Sequence, residues 1–312
     1  DLTKLAPAFE LTEGASIEPA SGSTQNFTYP VRYTVTSEDK NWHRTYAIHI
    51  HYPETKSIPT VFNFENAKTV PYNKNEYYVL YEAATGYSTL TWSSGNQGFA
   101  LTGSGYTPND FPTGISPNGR TGNCVQLITR QTGSLGAMVG MPIAAGNLFI
   151  GSFDISSAMK DALSATRFGT TFYYEPIKLE GYYKYKAGPQ FYEKGEYTDK
   201  KDVFNIYALF YEKTKDVQML DGHITKNNYE HENMVAVAVI TDAHETDEWT
   251  HFELAFDYDR FQKKVDPQKL ANGGYNISII LSASKDGDVF QGAPGSTLLI
   301  DDLELVYKQP LR

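Results

Sequence analysis

Short runs in which apolar and polar residues alternate recur along the whole chain, and this pattern limits the possible fold more than any other feature. Side chains on a strand alternate between two faces, so an every-second-residue apolar pattern marks a half-buried strand. PVRYTVT puts Val31, Tyr33 and Val35 on one face, and RTYAIHIHY does the same with Tyr46, Ile48, Ile50 and Tyr52. Further strands are expected in VFNF, EYYVLYE, CVQLIT, LFIGSF, TTFYYE, DVFNIYALFY, MVAVAVIT, WTHFELAFDY, YNISIIL and STLLIDDLELVY. Gly, Pro, Asn and Asp clusters separate them. Only SSAMKDALSA, from Ser156 to Ala165, reads as a short helix, with Ser156 or Ser157 as its cap. The expectation is an all-β chain built from sandwiches.

Two prolines, Pro53 and Pro59, flank a charged segment that divides the chain. Residues 1–56 hold few strands and suggest an immunoglobulin-like β-sandwich, complete or partial; residues 57–312 suit one large jelly roll with long loops. The segment from Gly86 to Asn123 contains eight glycines and one tryptophan and reads as a single long loop. Loops of that length are often functional. Trp92 either tucks this loop onto a sheet or stands exposed as a platform for a ligand, and tucking is the better-supported reading because Trp is highly buried on average.

Composition narrows the function. Net charge is −10 with no basic cluster, so a phosphate backbone would be repelled and nucleic acid is excluded as a partner. No apolar run approaches the ~20 residues of a spanning helix. Cys124 is the only cysteine, which excludes disulfides within the chain and multi-cysteine metal sites; at the start of an apolar strand it reads as a buried, inert thiol. The opening residues DLTKLAPAFEL show no signal peptide, which a mature exported chain would already have lost. Tyrosine is abundant, at 23 residues, and its flat apolar face with a polar rim suits both sheets and sugars.

One carboxylate is anomalous. In STLLIDDLELVY, regular alternation groups Asp301 with Leu299, Leu303, Leu305 and Tyr307, and leaves Ile300, Asp302, Glu304 and Val306 on the other face. A buried carboxylate must be paired, hydrogen-bonded, metal-bound or neutralised. Asp301 is therefore a catalytic acid, a metal ligand or a carboxylate tied to backbone amides, those of the preceding GAPGS turn being the candidates. A second candidate stretch is GYYKYKAGPQFY, where Tyr183 and Tyr185 share one face and Tyr182, Lys184 and Lys186 the other. An exposed Tyr183–Tyr185 pair with Lys184 nearby would stack on a sugar and bond its hydroxyls; the alternative is cross-strand aromatic packing. The acidic clusters HETDEW and EYTDKKD read as solvated loops rather than a catalytic pair. His49 and His51 have a spacing compatible with zinc and His43 is near in sequence, but alternation turns His49 and His51 to water and no third ligand is identified.

Several stretches together, TWSSGNQGFAL, GRTGNCVQLITRQTG, AAGNLFIGSF, PIKLEGYYKYKAG and SASKDGDVFQGAPGSTLLIDDLELVY, resemble the putative carbohydrate-metabolism domain of exported Bacteroidetes proteins. The resemblance spans nearly all of residues 60–307, and the leading segment is similar to the immunoglobulin-like modules that precede such domains. It implies a jelly roll akin to carbohydrate-binding modules, in an extracytoplasmic, lipid-anchored protein of the outer-membrane surface or periplasm. It also implies a structural calcium, because such modules end in a comparable strand whose Asp ligates that ion; the ligands here would be Asp301 and Glu65, although alternation points Glu65 away from Phe62 and Phe64. The resemblance, together with the lack of a convincing catalytic constellation in the sequence, leads to an expectation of non-catalytic glycan binding in polysaccharide capture, alongside other outer-membrane polysaccharide-utilisation proteins. The alternatives are a glycoside hydrolase with its acids on a concave face, or an adhesive surface protein.

Overall fold

The structure, a computed structural model, describes residues 2–50, 57–158 and 160–308. The described chain separates into two compact units between Ile50 and Ser57.

The first unit is one antiparallel sheet in the order Ser16–Glu18, Val31–Thr36, His43–Ile48. Tyr33 anchors it, 1% exposed, with the Phe9 ring 4.7 Å and the Phe27 ring 6.4 Å from its own. The facing sheet of an immunoglobulin-like sandwich is not among the described residues. Tyr46, expected to point inward, is 43% exposed, because its strand forms the sheet edge and little packs over it. His51 and Tyr52 lie outside the described residues; His43 Nδ1 shares a hydrogen bond with Thr36 Oγ1 at 3.0 Å.

The second unit is a two-sheet sandwich. The first sheet runs Thr246–Ala255, Pro176–Lys186, Thr297–Tyr307, Cys124–Ile128, Thr113–Ser116, with Val61–Phe62 added to Thr297–Tyr307. The second runs Asn147–Phe149, Tyr275–Ser282, Asn205–Glu212, Met234–Val239, with Thr170–Thr171 beside Tyr275–Ser282. From Cys124–Ile128 onward, the long strands enter the sheets in the sequence first, second, first, second, second, first, second, first. That is the path of a jelly roll, with the last two of these strands, Tyr275–Ser282 and Thr297–Tyr307, inserted between earlier ones. The inner faces meet in one core that includes Val125, Leu179, Leu298 and Ile300 from one sheet and Ile206, Phe210, Ile277 and Ile279 from the other. Full burial of each such side chain stabilises by about 1.5–3 kcal/mol.

The second sheet is buried on both faces, which is why NIYALFYE and YNISIIL read as continuous apolar runs. Its far face packs Phe149, Tyr207, Leu209 and Ile280 against Phe168, Leu220 and Ile224 of the cover. That cover is a small sheet, Gly151–Phe153, Thr166–Phe168, Leu220–Asp221, together with two helical turns. These turns, Ile155–Ala158 and Ala162–Ala165, replace the single helix expected over Ser156–Ala165. Their caps are Asp154, which accepts the Ser156 N–H at 3.0 Å, and Asp161, which accepts the Leu163 N–H at 3.2 Å. The segment read as one long loop instead contains the helix Asn96–Ala100 and the edge strand Thr113–Ser116.

Candidate functional site

The strand Thr297–Tyr307 does not alternate regularly. Asp302 sits at φ 46°, and the register against Pro176–Lys186 shifts between Glu180 and Tyr182. This bulge resets the faces: Leu298 and Ile300 point inward before it, Leu303 and Leu305 after it. Asp301 therefore belongs to the outer face, across from Tyr182, and is buried there by the loop Pro117–Asn123. Asp301 Oδ2 accepts the backbone N–H of Arg120 at 2.6 Å and of Thr121 at 3.4 Å, and Oδ1 accepts the Asp302 N–H at 2.8 Å. Burial raises its carboxyl above the usual range, opposed by these three bonds.

The reading of Asp301 as a carboxylate tied to amides thus describes this structure, but the amides come from GRTGN. The GAPGS turn serves Asp202 instead, whose Oδ2 accepts the Ala293 N–H and the Ser284 and Ser296 hydroxyls at 2.6–2.7 Å. Asp202 is 2% exposed, which corrects the reading of EYTDKKD as a wholly solvated loop. Glu245 of HETDEW is likewise an anchor: it accepts the Ala187 N–H at 3.0 Å and Lys201 Nζ at 2.6 Å.

Glu65 and Asp301 serve the same loop from two sides. The Glu65 carboxylate accepts the Asn123 N–H at 3.1 Å and its side-chain amide at 3.1 Å. Gly122, at φ +69°, leaves room for that carboxylate, since a Cβ would lie 2.3 Å from Glu65 Oε1. Among the described residues no group of three or more His, Cys, Asp or Glu is placed to hold a metal ion. Cys124, beneath this loop, is buried, and burial with the charges of Asp301 and Glu65 pushes its thiol up to about 12.

Of the four side chains expected to meet a sugar, Lys184 alone reaches the surface. Trp92 is 2% exposed, its ring 5.2 Å from that of Phe62 and 5.7 Å from that of Phe64, which is the tucked arrangement. Tyr183 and Tyr185 are 1% and 2% exposed and clasp Phe204 at 4.7 and 4.9 Å. The expected exposed tyrosine pair is therefore a core pair, because the inner face of its strand closes against the second sheet.

The accessible face of that strand carries a different strip. Lys184 Nζ stands 5.4 Å from the Trp249 ring centroid, and Tyr182 lies beside His251, their centroids 5.0 Å apart. The Arg120 guanidinium covers Tyr182 at 3.5 Å and pairs with Asp302. Trp249, Tyr182 and Lys184 are half-buried, Arg120 and His251 exposed. Aromatic rings interleaved with cationic donors on an open sheet face can stack on apolar CH groups and bond hydroxyls. The sequence carries the signal for Trp249 and His251, since in WTHFEL they alternate against Phe252 and Leu254. Arg120 gives no such signal: only the fold of GRTGN over Asp301 brings it to Tyr182.

Further along the same face, Glu180 faces Glu253 on the neighbouring strand. Both accept from Lys178 Nζ, at 2.9 and 2.6 Å, so their bonded oxygens are at most 5.5 Å apart. That bound admits the roughly 5–5.5 Å spacing of the carboxyl pair of a retaining glycosidase. The electrostatics do not: a general acid needs a raised pKa, whereas the Lys178 ammonium lowers Glu253.

Fold and surface together define the second unit as a jelly-roll β-sandwich with an aromatic and cationic strip on one sheet face. Residues 63–306 match the family described as "Putative carbohydrate metabolism domain", and the chain belongs to that family. Residues 1–50 match the family described as "SGBP, N-terminal". The chain is similar to a crystal structure described as a putative glycoside hydrolase from Bacteroides vulgatus ATCC 8482, with 87% identity, 81% of this chain and 100% of that chain covered, and a TM-score of 0.80. It is also similar to one described as a putative glycoside hydrolase from Bacteroides thetaiotaomicron VPI-5482, with 46% identity, 99% of this chain and 88% of that chain covered, and a TM-score of 0.76. No curated protein matches the chain.

Proposed function

We propose that this chain is a non-catalytic glycan-binding protein that captures polysaccharide outside the cytoplasm, at the bacterial surface. The observation that carries the reading is the strip Trp249–Lys184–Tyr182–Arg120, where rings and nitrogen donors alternate on an open sheet face. A pyranose presents CH groups to a ring and hydroxyls to flanking donors, so this composition is complementary to it. Membership of a carbohydrate-related family and the "SGBP, N-terminal" match support the same reading. The test is glycan-array or polysaccharide pull-down binding by the full chain. Trp249→Ala and Lys184→Ala should abolish the binding seen. Binding that survives both changes, or no binding to any plant, host or bacterial glycan, overturns the proposal.

The second reading, a glycoside hydrolase, draws on the Glu180–Glu253 pair and on the two relatives described as such. Lys178 weighs against it, because its ammonium bonds both carboxylates and lowers the pKa of Glu253, where a general acid needs a raised one. Release of reducing ends from a polysaccharide, lost on Glu180→Gln, would establish hydrolysis and displace the binding-only reading.

A further inference from the structure

The second unit contains a cavity of about 560 Å³ that the sheet-face strip does not touch. Its floor is the far face of the second sheet, with Tyr207 and Ile280, and its walls include Phe99, Phe153 and Phe168. Leu135 and Met138, 53% and 75% exposed, stand at its mouth. A free sugar fits such walls poorly, since each hydroxyl facing them would give up its water without gaining a partner.

Polar groups converge at one end: Asn205, Tyr207, Thr225 and Asp288. Three of them are engaged. Asn205 Nδ2 donates to the Tyr229 hydroxyl at 3.2 Å, while Asp288 accepts the Thr225 hydroxyl at 2.5 Å and Lys226 Nζ at 2.9 Å. Tyr207 is different. It is 4% exposed, its ring is held edge-on to Phe168 and tilted against Tyr229, and its hydroxyl has no hydrogen-bond partner among the described residues. Its oxygen opens onto the cavity rather than being sealed from it, so a ligand with a polar head can bond it there in place of water.

The charges at this end select the head group. An anionic head would meet the Asp288 carboxylate, and a cationic head would have to displace Lys226 from it. We propose that this cavity binds a neutral amphipathic small molecule, its apolar body against Phe99, Phe153 and Phe168 and a single hydroxyl or carbonyl head on the Tyr207 hydroxyl. The site is separate from the glycan strip and does not depend on that reading.

The test titrates the full chain with 2-naphthol, following tyrosine and tryptophan fluorescence or heat. Saturable one-to-one binding is expected, weakened about three- to tenfold by Tyr207→Phe, the range of one neutral hydrogen bond. Naphthalene, which has no head group, should bind Tyr207→Phe and the unchanged chain alike. Met138→Lys, at an exposed position, should weaken both probes. Tyr207→Phe removes an oxygen that bonds nothing in the structure, and an unchanged melting temperature verifies that the variant folds. The proposal is overturned by absence of saturable binding, by unchanged 2-naphthol affinity in Tyr207→Phe, or by tighter binding of anionic 2-naphthoate, which would place the head at Lys285 on the rim instead.

Discussion

Asp301 Oδ2 accepts the backbone N–H of Arg120 at 2.6 Å, joining residues 181 apart in sequence. That bond fixes where the loop lies, and the loop fixes where the Arg120 guanidinium lies over Tyr182. A carboxylate with no surface of its own thus sets the geometry of the open face.

Asp301→Asn tests this dependence. Asparagine has one acceptor oxygen, so it can serve Asp302 or the Arg120 and Thr121 pair, and its NH₂ then opposes a backbone N–H. The expected loss is about 1–3 kcal/mol, read from the urea midpoint. Hydrogen exchange at Arg120 and Thr121 should accelerate along with it. An unchanged midpoint and unchanged exchange would show that the loop is held by something else.

How much of this was legible in the sequence depends on whether alternation held. Where it held, in Pro176–Lys186, the pattern separated Tyr183 and Tyr185 from Tyr182 and Lys184 correctly. What it left open was which face was inside, since both carry tyrosines, and only the facing sheet decides that. Where a bulge intervened at Asp302, alternation placed Asp301 on the wrong face. Long-range partners leave no local trace: nothing in EYTDKKD marks Asp202 as buried, because the three donors to its Oδ2 lie more than 80 residues away.

Glu82 makes stability depend on pH. It is 6% exposed beside Phe64 and Trp92, and burial raises its carboxyl to about 7 from 4.5, opposed by the Phe64 N–H at 3.1 Å. Because the folded value lies above the unfolded one, the folded state binds more protons between these limits. The contribution of the neutral acid is full below pH 4.5 and is lost as pH rises through 7. Glu82→Gln keeps the acceptor for Phe64 and removes the titration. It should match the unchanged chain near pH 4.5 and exceed its stability by about 3 kcal/mol at pH 8, as seen in paired denaturant melts. A constant difference across that range would exclude Glu82 as the source.

Tyr185→Phe should leave stability unchanged or raise it by about 1 kcal/mol. The Tyr185 hydroxyl is buried without a hydrogen-bond partner, since the nearby Ser296 hydroxyl donates to Asp202. Removing an unsatisfied buried polar atom relieves its desolvation. A loss above about 1 kcal/mol in the melting curve would mean that the hydroxyl is bonded after all.

Trp92 and Trp249, the two tryptophans of the second unit, should separate folding from binding. Trp92 fills the core between Phe62 and Phe64, so Trp92→Ala leaves a large void and should destabilise by about 3–5 kcal/mol. Its Nε1 meets no acceptor at hydrogen-bond geometry, so the loss is one of packing, and Trp92→Phe should recover most of it. Trp249 lies half-buried on the outer face beside Lys184, and Trp249→Ala should cost less than about 1 kcal/mol while removing glycan binding. Binding measured well below the melting temperature of each variant decides the matter. If Trp249→Ala binds normally while folded Trp92→Ala does not, the recognition surface is not the outer face of the Pro176–Lys186 and Thr246–Ala255 strands.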